Sequence, residues 1–305
     1  MLGFLGRRLI YNALVLLGVS FLVFSLVFLT SDPATALLPV NTPPEVVAAF
    51  RHTRGLDRPI PVQFADFVVR AVHGDFGDSL RFRTPAMAIV LERLPATLIL
   101  ALSGLFVALI IAIPLGTIAA LRRGTWVDHI ARSVALFGQG VPTFVLAPIL
   151  ILIFAVSLRI LPVSGTGGPE FLFMPAIVVG LGSAAGLVRI LRSSLLEVFR
   201  QDYIRTALSK GLQPRTILLR HAYKNAAIPV VTFLAFDVAS ILSGVVIVEV
   251  IFAYPGMGRL AFQAISNRDL PIIQCFVLLA GLTIVTANML LDVVYTWLDP
   301  QIRVR

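Results

Sequence analysis

Leu94–Leu121 reads LPATLILALSGLFVALIIAIPLGTIAAL, a run without one charged side chain. A helix needs about 20 predominantly apolar residues to cross the hydrocarbon core of a bilayer, at a rise of ~1.5 Å per residue. This run exceeds that length and is apolar all round. A soluble surface helix would instead show one polar face. Gly104, Pro114 and Gly116 do not argue against a span, because neighbouring membrane helices satisfy the backbone groups such residues free.

The same pattern recurs in both directions from that stretch. Charge-free runs cover Leu9–Leu29, Ser133–Leu158, Phe171–Val188 and Leu270–Leu291, and Asn225–Val248 is broken only by Asp237. The spacing predicts about six transmembrane helices. Composition agrees: 58% of the 305 residues are hydrophobic and 13% charged, about half the charged fraction of a soluble domain, with a mean hydropathy of +0.93. Gly182 and Gly186 form a small-xxx-small pair, which allows helices to pack closely. The first run follows Arg7-Arg8 and precedes Ala34-Thr35-Ala36, as a secretory signal would. Its apolar stretch exceeds the roughly 7–15 residues of a signal core, so a retained span is the expectation.

A net charge of +9 and a pI near 10.7 raise nucleic acid as a partner. The basic residues sit between apolar blocks rather than in one patch, so no nucleic acid is expected. Instead they orient the chain. With the N-terminus inside, the inner segments hold fifteen Arg and Lys, and the two short outer loops hold only Arg159, Arg259 and Arg268. The rule that inner loops are basic then places both termini in the cytoplasm. The single cysteine, Cys275, excludes an intrachain disulfide and a cysteine metal site.

Two polar segments remain. Residues 31–93 open on the turn Ser31-Asp32-Pro33 and balance seven basic against seven acidic residues. The apolar positions between Pro44 and Val72 predict short amphipathic helices lying on the outer membrane face. Connections this long are ordinarily functional. Residues 189–224 read as helix, break, helix. Leu195, Leu196, Val198 and Phe199 precede Asp202–Leu208. Gly211 stands at a C-cap position and Pro214 suits the first turn of a new helix. Two helices around a glycine make a rigid knob suited to a groove in another protein.

Catalytic signatures are lacking. The chain has no G-x-x-x-x-G-K-[ST] phosphate loop, no H-E-x-x-H and no G-x-S-x-G. Gly256-Met257-Gly258-Arg259-Leu260-Ala261 fits a dinucleotide pattern only loosely, on an outer turn with no strand before it. His52, His73, His129 and His221 are scattered and predict no ligand cluster.

Several ordered blocks then resemble one family. Arg192-Ser193-Ser194-Leu195-Leu196-Glu197-Val198, Asp202-Tyr203-Ile204-Arg205-Thr206-Ala207-Leu208-Ser209-Lys210-Gly211-Leu212 and Arg220-His221-Ala222 resemble the cytoplasmic coupling loop of permease subunits from dipeptide, oligopeptide and nickel ABC importers. His73–Leu80, Leu161–Gly165, Glu249–Gly258 and Asp299–Arg303 are similar to further family blocks. The long segment after the first span resembles the B-type subunit. The resemblance implies an all-α polytopic membrane protein with the type I ABC importer permease fold. It would comprise residues 1–30 as N-terminal end and first span, 31–93 as a helical extracytoplasmic insertion, and 94–305 as a five-helix core with coupling loop 189–224.

It also implies a set of partners in a bacterial inner membrane: a second homologous permease completing a heterodimer, two ATP-binding subunits, and an extracytoplasmic substrate-binding protein, with membrane lipid around the spans. The chain itself would bind no cofactor, ATP and magnesium lying on the ATPase subunits. The coupling helix maps to about Arg205–Thr216, with Asp202, Tyr203, Arg205, Ala207, Lys210, Gly211 and Leu212 as coupling residues. Only Ala207 and Gly211 keep the general E-A-A…G pattern. Arg205-Thr206 replaces its first two residues, and the remainder follows the peptide-type variant.

Asp237 departs from the family, which more often has an uncharged polar residue near it. Intramembrane carboxylates are rare and often functional. Asp237 is therefore either a pathway residue sensing a cationic group on cargo, or a carboxylate packed against a neighbouring helix or subunit. Glu249 is expected to support the Pro255-Gly256 turn. Di- or oligopeptide cargo leads, with nickel or another small solute as the alternative within the family. A self-sufficient secondary transporter is the alternative outside it.

Overall fold

The computed structural model describes residues 2–30, 38, 42–53, 55–165 and 167–298. The turn at Ser31-Asp32-Pro33, the Ala34-Thr35-Ala36 site and the Asp299–Arg303 block lie outside them. The described regular structure is helical, apart from one isolated bridge between Asp78 and Pro85. Twelve helices follow in order: α1 Leu2–Thr30, α2 Pro44–Thr53, α3 Ile60–Val72, α4 Ala86–Leu121, α5 Trp126–Gly140, α6 Thr143–Leu150, α7 Pro169–Val198, α8 Asp202–Ser209, α9 Pro214–Thr216, α10 Tyr223–Ile251, α11 Met257–Ser266 and α12 Leu270–Leu298. Wider π-helical turns, Ile151–Ser157 and Ile217–Ala222, extend α6 and join α9 to α10.

Among the described residues, α4, α7 and the stretch Leu270–Leu290 of α12 are each long and apolar enough to cross a bilayer. The charge-free run Leu9–Leu29 and the run Asn225–Val248, broken only by Asp237, lie in the 29-residue helices α1 and α10. The expected continuous span Ser133–Leu158 is corrected. It is two apolar helical pieces bent by 98° at a short break. Val141 is extended there (φ −93°, ψ 113°), as the residue before a proline prefers, and Pro142 has no N–H to continue the ladder.

The chain divides into two compact units. The first comprises residues 1–95 and 256–285. Its segment between α1 and α4 holds the short helices expected there, and α3 packs on α1. Its Phe64 meets Phe24 of α1 edge-to-face and its Phe67 meets the same ring at a tilt, with centroids 5.6 and 5.7 Å apart, and Phe67 meets Phe76 at 6.0 Å. Burial and aromatic geometry, the latter worth ~0.5–1.5 kcal/mol per pair, favour this contact over exposure. A second core joins Ala86 and Val90 of α4 to Met257 and Leu260 of α11 and Ile272 of α12. Beside it Ser79 Oγ donates to the buried Asp269 carboxylate.

The second unit comprises residues 96–255 and 286–305. Here α7 is the hub: 67% of its most apolar window is buried, against 22% for α4. The difference follows from side-chain size. Gly180, Ser183, Ala184, Ala185 and Gly186 give α7 a flat, small surface. A Cβ added at Gly104 would meet Val179, and one at Gly180 would strike the Gly104 carbonyl oxygen at 2.7 Å. These two glycines thus set the α4–α7 crossing. Of the expected Gly182–Gly186 pair, only Gly186 is such a contact, against Phe233 of α10. Gly182, one turn earlier, has nothing within 4 Å of its Cβ position. On the opposite side of α4, Ile99, Leu102, Phe106, Ile110 and Ile113 are exposed, the helical spacing of a lipid-facing stripe. Glu249 is buried and accepts a hydrogen bond from Thr97 Oγ1 at 2.6 Å, while its backbone carbonyl accepts from Tyr254 N at 2.9 Å. It therefore ties α10 to α4 as well as supporting the turn that follows.

Candidate functional site

The knob at 202–216 is built from short-range rules. Gln201, extended at φ −73° and ψ 147°, opens α8. After Ser209 the chain turns at Lys210 (φ −79°) into Gly211, whose φ is +75°. Leu212 N donates to Ala207 O at 3.2 Å and Gly211 N to Leu208 O at 2.9 Å. This pair of bonds is the Schellman cap, which needs a left-handed residue where Gly211 stands. Gln213 and Pro214 then start α9. The expected coupling helix Arg205–Thr216 is therefore not one helix. It is interrupted at Gly211, because the left-handed turn and the proline cannot be absorbed into a continuous ladder.

Amphipathicity fastens α8 to the rest of the unit. Ile204 and Ala207, three residues apart, are only 2% and 7% exposed. They pack with Leu191, Leu195 and Val198 of α7 and with Ile217 and Ala222 of the following π-helical turn. Asn225 Nδ2 donates to Tyr203 Oη at 3.0 Å and to His221 O at 2.9 Å, bracing α8 on the start of α10. Asp202, Arg205, Lys210 and Gly211 are exposed. The Asp202–Arg205 pair, 3.5 Å apart, is too solvated to stabilise the helix much. Tyr203, Leu208 and Leu212 also face outward, Leu208 at 55% exposure. Ala207 differs from the other expected coupling residues: it is an anchor inside the unit, not a point of outward contact.

The sequence pattern described as "Binding-protein-dependent transport system inner membrane component" matches residues 112–304. Its N-terminal companion, "Binding-prot-dependent transport system membrane comp, N-term", matches residues 1–101. The chain belongs to this family of importer permeases.

Whole-length relatives agree. The chain is 36% identical to y4tP of Sinorhizobium fredii, named as a peptide ABC transporter permease, over 97% of this chain and 98% of the relative. It is 35% identical to the glutathione transport system permease protein GsiC of Salmonella choleraesuis over 99% of both chains. Among solved structures, an inward-facing MetNI methionine ABC transporter aligns with 70% of this chain and 97% of its own at a TM-score of 0.57 and 17% identity. An amino acid ABC transporter aligns with 68% of this chain and 93% of its own, at 0.53 and 16%. These share the fold. The protein is thus a membrane-spanning permease subunit of a binding-protein-dependent ABC importer, a class that works with ATPase and substrate-binding partners and has no ATPase site of its own.

In this permease Asp237 stands on α10, about 18 Å along the helix from Asn225, so the knob and the intramembrane carboxylate are separate features. Ser183 of α7 is a neighbour of the Asp237 carboxylate. The buried Oδ2 has no hydrogen-bond partner among the described residues.

One polar cluster escaped the sequence reading. Asp128, 1% exposed, receives two hydrogen bonds from Arg192, Nε to Oδ1 and Nη2 to Oδ2, both at 2.7 Å. Gly124 N donates to Oδ2 at 3.0 Å, and Arg132 approaches Oδ1 at 3.3 Å. This clamp joins the start of α5 to the end of α7, directly before the knob. Removing one partner of such a buried pair ordinarily costs about 3–5 kcal/mol. The available signal was a lone acid among Arg122, Arg123 and Arg132.

Proposed function

We propose that the permease carries di- or oligopeptides through a pathway shared with a second homologous permease, and that α8 with its Gly211 cap is the ATPase-coupling element. Both termini and loop 189–224 then face the cytoplasm, where two ATPase subunits bind ATP and magnesium. Residues 31–93 face the substrate-binding protein on the outer side. Peptide cargo is supported by the names of the whole-length relatives.

The observation that carries the coupling role is the mechanical construction of α8. Its inner face, Ile204 and Ala207, is packed on α7 and α10, while Tyr203, Arg205, Leu208, Lys210 and Leu212 project outward. A helix so anchored passes a push to the spanning helices as a rigid body. Asp237 enters this reading as the candidate pathway residue.

The test is Gly211→Val in the assembled importer. No atom lies within 4 Å of the Gly211 Cβ position, so the variant acts through backbone strain alone. A non-glycine residue at this φ costs ~1–2 kcal/mol, and the β-branch adds to it. Insertion and assembly should survive, ATP hydrolysis should continue, and cargo uptake should fall. Coupled uptake at the unsubstituted rate would refute the assignment.

A further inference from the structure

Small side chains form the seam between α5 and α7. On α5, Asp128, Ala131 and Ala135 recur at i, i+3 and i+7 and so share one face of the helix. On α7, Ala184, Val188 and Arg192 recur every four residues and form the matching stripe. Ala131 is buried, and Ala135 packs beside Ala184, Leu187 and Val188. Asp128 and Arg192 meet at the end of this seam nearest the knob. Apolar contact between small side chains holds two helices together but is non-directional, so it does little to fix how far one slides along the other. The clamp is directional. Arg192 Nε and Nη2 bond different oxygens of Asp128, both at 2.7 Å, and such a two-pronged contact sets orientation as well as distance. Arg132 also reaches Asp128, at 3.3 Å, but from four residues further along α5 itself, so it ties nothing across the seam.

The same stretch of α7 carries α8. Leu191, Leu195 and Val198 seat Ile204 and Ala207, and no residue of α5 belongs to that core among the described residues. A displacement of α8 therefore reaches α5 through α7. Arg192, next in sequence to Leu191, stands between the seat of α8 and the seam with α5. In turn α5 is the first piece of the bent pair of apolar helices.

We infer that Asp128 and Arg192 are positioning residues of the coupling step, locking α5 in register with the seat of α8 so that α5, α7 and α8 move as one body. This rests on the assignment of α8 as the ATPase-coupling element and adds the spanning helix to which its push is delivered. Without the clamp α7 still follows α8, while α5 slips along the alanine seam.

Spin labels at Phe137→Cys of α5 and Glu197→Cys of α7, both exposed positions, read the register by pulsed electron paramagnetic resonance in the complete importer. The native Cys275 is buried. The distance is measured without nucleotide and after trapping with magnesium ATP and vanadate. With the clamp intact it should be the same in both states. In Asp128→Asn and in Arg192→Lys it should shift by about 2 Å on trapping, the scale of helix displacements at switching interfaces. Lysine keeps the charge but cannot grip both carboxylate oxygens in a fixed fork, so Arg192→Lys carries the test if Asp128→Asn fails to assemble. Arg132→Gln should match the unsubstituted importer. A distance that changes on trapping with the clamp intact overturns the proposal, as does an unchanged distance in an assembled clamp variant. An equal shift in Arg132→Gln also overturns it, and would assign the effect to local charge. Failure of both clamp variants to assemble overturns it as well, and would leave the pair a folding contact. The coupling assignment of α8 fails separately, through normal coupled uptake in Gly211→Val.

Discussion

At the scale of single residues, Asp237 poses the sharpest question. Water is absent from the hydrocarbon core, so a carboxylate there needs a partner or a task. Ser183 neighbours it, and Oδ2 is buried without a partner among the described residues. Asp237→Asn preserves shape and can keep the Ser183 contact while removing any negative charge. A pathway role predicts that this variant assembles in normal yield but transports amine-bearing cargo with weaker apparent affinity. Uptake measured over a cargo series decides it: unchanged affinity and rate would leave Asp237 a packing carboxylate.

At the scale of elements, the eight-residue helix α8 is too short to be stable alone, since isolated helices below ~12–15 residues are marginal in water. Its order comes from the Gly211 cap and from Ile204 and Ala207 seated among α7 and α10 side chains. Ile204→Asp puts a charge into that seat. The expected loss is about 3 kcal/mol or more at the knob, from lost apolar burial and an unpaired buried carboxylate. Hydrogen exchange should show α8 and the 210–213 turn opening while α4 and the buried core of α7 remain protected. Protection of α8 at the level of the unsubstituted chain would mean that its order does not come from this seat.

At the scale of the whole molecule, the permease is half of an interface problem. Large apolar side chains remain exposed on α1, α4 and α5, more than a soluble protein could carry. Lipid and partner subunits must cover them. A tagged chain should therefore leave the membrane with a second permease and ATPase subunits attached. Cysteine substitutions at Arg200 and at Val69 should be labelled from opposite sides of the membrane. Recovery of the chain alone under mild extraction, or labelling of both cysteines from one side, would contradict the assembly and orientation proposed here.

Residue type and spacing alone determined the membrane-spanning class, the positions of the apolar runs and the Gly211–Pro214 punctuation. Length without charge has one stable solvent, and glycine and proline restrict the backbone locally. The family blocks, read in order, named the importer class because they preserve those local constraints. Tertiary structure decided what local rules do not reach. It seated Ala207 as an anchor among α7 side chains, and set the close α4–α7 crossing at Gly104 and Gly180. It also joined Asp128 to Arg192 across 64 residues. In each case the outcome depends on which faces of distant helices meet, and the period of a single helix shows which residues share a face but not what that face will touch.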